Sequence, residues 1–386
     1  MLLLYKCVTT CKSKVMNIDL QINKKTMKLL EPIKLGNKKL KNKMVMAPMT
    51  RSRADVNGII GESTIKYYSQ RVSAGLIITE AINISKQATG SLLTPGIYNS
   101  EQMNAWKKVT SEIHKQGGVI YAQLWHTGRV GHSLVKNGEL PVAPSAIAIN
   151  CQQHFTMDGM KDYETPKELT ISEIKEIIQD YKKATINAIE AGFDGVELHA
   201  AFGYLPNQFL AESSNTRNHE YGGNHQNRNR FVLEVLNEMI DAIGPDKVAI
   251  RLSPTSIYNN IIHQNPIEQF TVLINELNKM PLSYIHLMNV PFPKDKFPNY
   301  PTNPIETFGK ITNHLIIANC GYNRETGEAE LEKGIAKLIS FGTLFLANPD
   351  LPKRFELNAE LNTLDATTMY GGNDKGYIDY PFLELI

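Results

Sequence analysis

The chain has 386 residues, 42% hydrophobic and 21% charged, with a formal net charge of +2, which is the make-up of an ordinary globular protein. So small a charge gives no footing for nucleic acid or an acidic membrane surface, and no apolar run approaches the ~18 residues of a bilayer span. Four cysteines, of which only Cys7 and Cys11 are close together, make neither a zinc set nor a disulfide framework and point to free thiols in the reducing cytoplasm.

Residues 1–26 differ from the rest. Met1 to Tyr5 is apolar, but lysines follow at once and no small-residue cleavage site appears, so a secretory signal is not expected. A disordered extension is, with Met16 or Met27 as the true start and residues 27–386 as the folded unit. From Lys28 onward, strand-like and helix-like runs alternate. Strands are predicted at Met44–Met46, Leu76–Glu80, Gly118–Leu124 and Phe193–Leu198, then at Val248–Ser253, Tyr284–Met288, Leu315–Ala318 and Lys337–Phe341. Helices are predicted over Ser63–Ala74, Ser100–Gln116, Ser172–Ala191 and Arg228–Ile243. Thr170 and Glu173 have the spacing of a capping box, and Ile174, Ile177, Ile178 and Tyr181 recur at helical spacing behind them.

Eight such alternations predict an α/β protein of the (β/α)8 barrel type. A doubly wound sheet is the alternative, disfavoured because no Gly-x-Gly-x-x-Gly follows an early strand. Thr127–Thr165, rich in Gly, Pro and Asn, is too long for an ordinary loop and is expected as a lid insertion after the third strand. The segment from Met369 has glycine-rich loop character and three tyrosines.

Function in a barrel sits at the C-terminal ends of the strands. Those ends carry Thr50, Ala81, Gln123 with Trp125, His199, Arg251, Asn319-Cys-Gly321 and Gly342-Thr343. His199 and Tyr204, five residues apart just past a strand, form a plausible donor pair. Equally, His199 could cap the strand while Tyr204 packs as a half-buried aromatic. A metal site needs clustered His, Asp or Glu, and the mouth offers one good histidine. A carboxylate-pair hydrolase would have to use Glu80 and Glu197, which do not suit the geometry. A flat organic cofactor fits this donor set better.

The chain resembles the old yellow enzyme family of FMN-dependent ene-reductases, including its bacterial N-ethylmaleimide and nitrate-ester reductases. The likeness runs from Leu30-Glu-Pro-Ile33 to Tyr380-Pro-Phe-Leu383. It rests on Met46-Ala-Pro-Met-Thr-Arg51, Arg71-Val-Ser-Ala-Gly-Leu-Ile-Ile-Thr-Glu-Ala81, Ala105-Trp-Lys-Lys108 and Gln123-Leu-Trp-His-Thr-Gly-Arg129. Gly192-Phe-Asp-Gly-Val-Glu-Leu-His199, Glu220-Tyr-Gly-Gly223, Asn227-Arg-Asn-Arg-Phe231, Ile250-Arg-Leu-Ser-Pro254 and Leu346-Ala-Asn-Pro-Asp-Leu351 follow in order.

The resemblance implies non-covalent FMN across the barrel mouth, over Pro48, Met49 and Thr50. It puts Ala81 and Gln123 at the pyrimidine edge, Arg251 near N1 and O2, and Cys320, Gly321, Gly342 and Thr343 at the phosphate. Trp125, His199, Phe202 and Tyr377 would shape the substrate side, with plain packing the alternative for Trp125 and Tyr377 and a rim ion pair the alternative for Arg251. NADPH or NADH would reduce the flavin, a small electrophile would take the hydride, and Tyr204 would deliver the proton. Monomer or homodimer is expected.

Four positions depart from the family pattern. Phe202 stands where a second donor, His or Asn, usually follows His199. Ser91 replaces an active-site tyrosine of the bacterial relatives, Cys320 replaces a glycine, and Thr343 replaces an arginine. The leading expectation is a working flavin oxidoreductase of altered substrate scope. Beside it stand an FMN-weak or non-catalytic barrel acting as a scaffold or binding protein, suggested by Phe202 and Thr343, and a metal-dependent hydrolase, which has little support.

Overall fold

A computed structural model describes residues 27–384; the extension of residues 1–26, with Cys7 and Cys11, lies outside them. Eight parallel strands form the barrel: β1 (Met44–Met46), β2 (Leu76–Ile78), β3 (Ile120–Trp125), β4 (Gly195–Ala200), β5 (Val248–Leu252), β6 (Ile285–Met288), β7 (Ile316–Asn319) and β8 (Leu338–Phe341). Each pairs with the next, β8 pairs with β1, and the ring is closed. All eight lie within a few residues of the predicted runs.

The helices follow their strands: α1 (Glu62–Ser69), α2 (Ser100–Lys115), α3 (Ile171–Glu190), α4 (His225–Ile243), α5 (Pro266–Leu277), α6 (Pro304–Gly309), α7 (Arg324–Glu332) and α8 (Leu351–Leu357). The α3 capping box is formed, with the Thr170 amide donating to Glu173 at 2.8 Å and the Glu173 amide to the Thr170 hydroxyl at 3.3 Å.

Side chains alternate across each strand. On β4, Val196, Leu198 and Ala200 join the apolar layer shared with Ile174, Ile177 and Ile178 of α3. Glu197 and His199 are left for the barrel interior. A second cluster, including Val45, Leu76, Tyr121, Tyr284 and Leu338, fills the barrel towards its N-terminal end. Leu35 and Leu40 of the hairpin Ile33–Leu35/Lys38–Leu40 belong to the same cluster and close that end. Register then sets the levels of the polar side chains: Glu197 lies opposite Gln123, and His199 opposite Arg251.

Two segments beside the barrel mouth take definite shapes. The insertion 127–165 folds around an antiparallel hairpin, Gln153–Thr156 with Gly159–Asp162. It is tied to the loop after β2 by His154 Nε2 at 2.6 Å from Gly90 O and by Lys136 Nζ donating to Thr89 O at 3.0 Å. Its residues do not line the cavity described below. Tyr377, expected to close over the substrate, is fully buried. Its ring stacks on Tyr67 at 4.3 Å, with the Arg51 and Arg53 guanidinium carbons 4.9 and 4.4 Å from its centroid.

Arg51 explains that burial. It donates from Nε to Met369 O at 3.0 Å and from Nη2 to Gly376 O at 2.8 Å, and Arg53 donates to Asn373 O and Thr368 O. The C-terminal segment is thus clamped by its carbonyls, with Tyr377 drawn inward and Tyr370 left 65% exposed. Arg51→Met would strand those carbonyls and is expected to cost about 2–4 kcal/mol. Thermal unfolding should shift down and limited proteolysis should cut faster between residues 369 and 377; unchanged cleavage would mean that the clamp contributes little.

Candidate active site

A cavity of about 400 Å³ opens at the C-terminal ends of the strands. Every strand contributes to it. Ala47 to Thr50 follow β1, Ala81 follows β2, Gln123 lies on β3, and His199 on β4 is followed by Phe202 and Tyr204. Arg251 comes from β5, Met288 from β6, Asn319 to Tyr322 from the end of β7, and Ser340 to Leu344 from the end of β8. Met369 and Tyr370 of the clamped segment complete the wall.

The loop after β1 is fixed from behind. The Arg51 amide donates to Glu80 Oε2 at 3.1 Å and the Tyr68 hydroxyl lies 2.8 Å from the Glu80 amide nitrogen. Burial pushes the Glu80 carboxyl up to about 7, opposed by the Arg51 amide and the charges of Arg51 and Arg53. Glu80 therefore braces Thr50 and Ala81 rather than facing the cavity.

At the end of β4, three rings hold one another. Trp125 stacks on His199 with centroids 6.3 Å apart and planes at 14°. Tyr204 meets both edge-on at 4.8 Å. Trp125 is buried behind this pair and does not line the cavity, so its expected place in the substrate wall is corrected to a backing position. Burial, with the neighbouring Arg251 and His286, drives the His199 pKa well below the usual histidine range. The imidazole is neutral, with one N–H to donate. Burial raises the Tyr204 phenol, which stays protonated.

Phe202 sits at φ 54, in the left-handed region, a conformation that costs a non-glycine residue of order 1–3 kcal/mol. It is held there by Ser253 Oγ, 2.9 Å from its amide, and by Asn259 Nδ2 donating to its carbonyl at 2.8 Å. Its ring lies 5.6 Å from Tyr258 and 5.7 Å from the Arg251 guanidinium carbon. Cys320 is likewise left-handed at φ 87. That is the strain expected where a β-carbon replaces a glycine.

Arg251 donates from Nη2 to Asn319 Oδ1 at 2.7 Å, while its Nε is buried without a partner, as is Nδ1 of His199. Two side chains on one cavity thus retain buried nitrogens that nothing in the protein satisfies, which calls for a polar guest. A Cβ built at Gly321 meets nothing within 4 Å, and one at Gly342 meets only the Met49 side chain at 3.6 Å or more. Both glycines border open space. Donors, small residues and an open glycine pair suit the ring and tail of FMN. The phosphate end is thinner: among the residues lining the cavity, Arg251 is the one Lys or Arg.

Sequence reasoning missed several members. Tyr370, Met288, Ser340 and Tyr322 line the cavity without a local sequence signal that marks them. His286 was overlooked too, although alternation on β6 against the core residues Ile285 and Leu287 marks it as inward-facing.

The chain matches the model of the NADH:flavin oxidoreductase / NADH oxidase family over residues 28–362. It is 41% identical over 364 residues to the putative 12-oxophytodienoate reductase 11 of Oryza sativa subsp. japonica, covering 93% of this chain and 98% of the relative. It is 38% identical over 377 residues to 12-oxophytodienoate reductase 2 of Arabidopsis thaliana, covering 94% and 97%. Among solved structures, morphinone reductase in complex with tetrahydroNAD superposes with a TM-score of 0.87 at 41% identity, covering 92% of this chain and 98% of that one. The old yellow enzyme homologue from Zymomonas mobilis gives 0.88 at 38%, covering 92% and 99%. Among the described residues no helix is long and apolar enough to cross a membrane.

Thr343→Arg would add a cation beside Gly342. It is expected to tighten FMN about tenfold or more, the worth of one charge-assisted hydrogen bond, in a titration of the apoprotein by quenching of flavin fluorescence. An unchanged dissociation constant would mean that another group already serves the phosphate.

Proposed function

The chain belongs to the NADH:flavin oxidoreductase / NADH oxidase family and is an FMN-dependent oxidoreductase, and from that premise we propose that it reduces activated alkenes and quinones whose acceptor oxygen is gripped by His199 alone. The observation that carries this reading is the pair His199 and Tyr204 on the cavity, backed by the buried Trp125 ring, with an apolar ring at Phe202 beside it. Bound in the cavity, FMN supplies hydride transfer from a reduced nicotinamide, NADPH or NADH, to the substrate, the two occupying the site in turn.

The protein's part is positioning and proton supply. Thr50, Gln123 and Arg251 would hold the ring edge, and the fixed charge of Arg251 would favour the electron-rich form of the cofactor. Neutral His199 would donate its N–H to the substrate oxygen, kept in orientation by Trp125 behind it. Tyr204 would transfer its phenolic proton to the carbon next to the activating group, completing the addition of one hydride and one proton across the double bond. Phe202 offers no second donor. The absence of such a donor is worth about 3 kcal/mol of barrier where an oxyanion develops. Substrates that need little polarisation, such as quinones and maleimides, are therefore favoured over simple cyclic enones.

Tyr204→Phe is expected to slow alkene reduction at least tenfold while leaving flavin reduction by NADPH nearly intact, since only the alkene half-reaction needs a proton delivered. Stopped-flow measurement of each half-reaction checks this, and equal losses in both would return Tyr204 to a packing role.

Phe202→Asn places a residue that tolerates φ 54 and restores a donor. Cyclohexenone turnover should rise several-fold relative to quinone turnover. A fall on both substrates would mean that the contacts of Phe202 with Tyr258 and Arg251 hold the loop.

A further inference from the structure

Below the cavity, Glu197 is fully buried inside the barrel. Its Oε1 accepts from Gln123 Nε2 at 2.7 Å and its Oε2 lies 3.0 Å from His286 Nδ1. The other nitrogen of that ring, Nε2, is 2.7 Å from Ser340 Oγ. Burial works against a charge on Glu197, but His286, Arg251 and the Gln123 amide outweigh it and pull the carboxyl below its ordinary range.

An ionised carboxylate has no proton to give. Gln123 must therefore turn its NH2 towards Glu197; reversed, its carbonyl would meet a carboxylate oxygen with no hydrogen between them. The amide oxygen is left for the cavity, which Gln123 lines. Among the described residues no protein donor is hydrogen-bonded to that oxygen. Burial also lowers the His286 pKa. The ring gives its Nδ1 hydrogen to Glu197, while Ser340 Oγ, hydrogen-bonded to Nε2, also lies 3.5 Å from Ala318 O. Gln123 and His286 thus both donate to Glu197.

We propose that Glu197 is a positioning residue that sets the polarity of Gln123, so that the cavity presents a hydrogen-bond acceptor and selects the imide N–H of the flavin. The proposal rests on FMN as the ligand of this cavity. The pyrimidine edge of FMN carries a carbonyl, N3–H and a second carbonyl. An acceptor opposite N3–H opposes ionisation of that proton, whereas an NH2 group would favour it. Glu197→Gln can itself donate to Gln123, which frees the Gln123 amide to turn over.

Apoprotein is titrated with FMN by fluorescence quenching, and the bound flavin is then followed by absorbance as the pH is raised to ionise N3–H. In the wild type, N3–H should ionise at a higher pH than in free FMN. In Glu197→Gln, FMN should bind about tenfold or more weakly, in line with a lost charge-assisted network, and N3–H should ionise at a lower pH than in the wild type. Weaker binding with N3–H ionisation unmoved would reduce Glu197 to packing and overturn the proposal. Should the variant fail to fold, the wild-type titration still decides: ionisation at or below that of free FMN overturns it. Failure of the wild type to bind FMN would remove the cofactor assignment as well, whereas bound FMN with an unperturbed N3–H would remove this proposal alone.

Discussion

A carboxylate inside a closed barrel has to be surrounded by donors, and that constraint arranges the centre of this molecule. Glu197 has no access to water, and an uncompensated charge there would cost several kcal/mol. Gln123 and His286 supply hydrogen bonds, and Arg251 supplies opposite charge close by. Those residues come from β3, β5 and β6, so one ion is satisfied by three strands besides its own. The strands must hold their register for this to work, and the same register sets His199 beside Arg251 one level nearer the mouth.

Above that floor the cavity is asymmetric. One side carries directed groups, His199, Gln123 and Arg251, each held from behind by a ring, a carboxylate or an amide. The other end, around Cys320, Gly321, Gly342 and Thr343, has open space and no lysine or arginine. Directed polar side chains are thus gathered at one end of the cavity, and the other offers open space beside glycines.

The mouth also depends on segments remote in sequence. Arg51 follows Thr50 directly, and through the carbonyls of Met369 and Gly376 it brings Tyr370 to the cavity wall. Its backbone amide is bound by Glu80, whose neighbour Ala81 lines the same cavity. One residue thereby couples the first loop, the second strand and the C-terminal segment. Phe202 and Cys320 hold left-handed backbone at two points of this wall, as expected where a loop is shaped for the site rather than for its own comfort.

Periodicity and termini were legible in the chain: eight apolar runs, the capping box at Thr170 and Glu173, and polar residues at the strand ends all carried over into the barrel. Those signals are local, spanning a few residues, and a strand's two-residue period also places Glu197 and His199 on one face. What the chain could not declare is which inward residues meet. Gln123 and Glu197 are 74 residues apart, and Glu197 and His286 are 89 apart. Their contact follows from the stagger at which the ring closes, a property of all eight strands together. The choice between Tyr370 and Tyr377 was hidden for the same reason, since both lie in one glycine-rich stretch and only the Arg51 clamp, more than 300 residues away in sequence, decides which ring is buried. The placement of Trp125 behind His199, and not on the cavity, is likewise set by how the end of β3 packs on the neighbouring end of β4. Local pattern therefore determined the elements and most of the strand-end residues. Long-range closure decided their partners, their facing and their polarity.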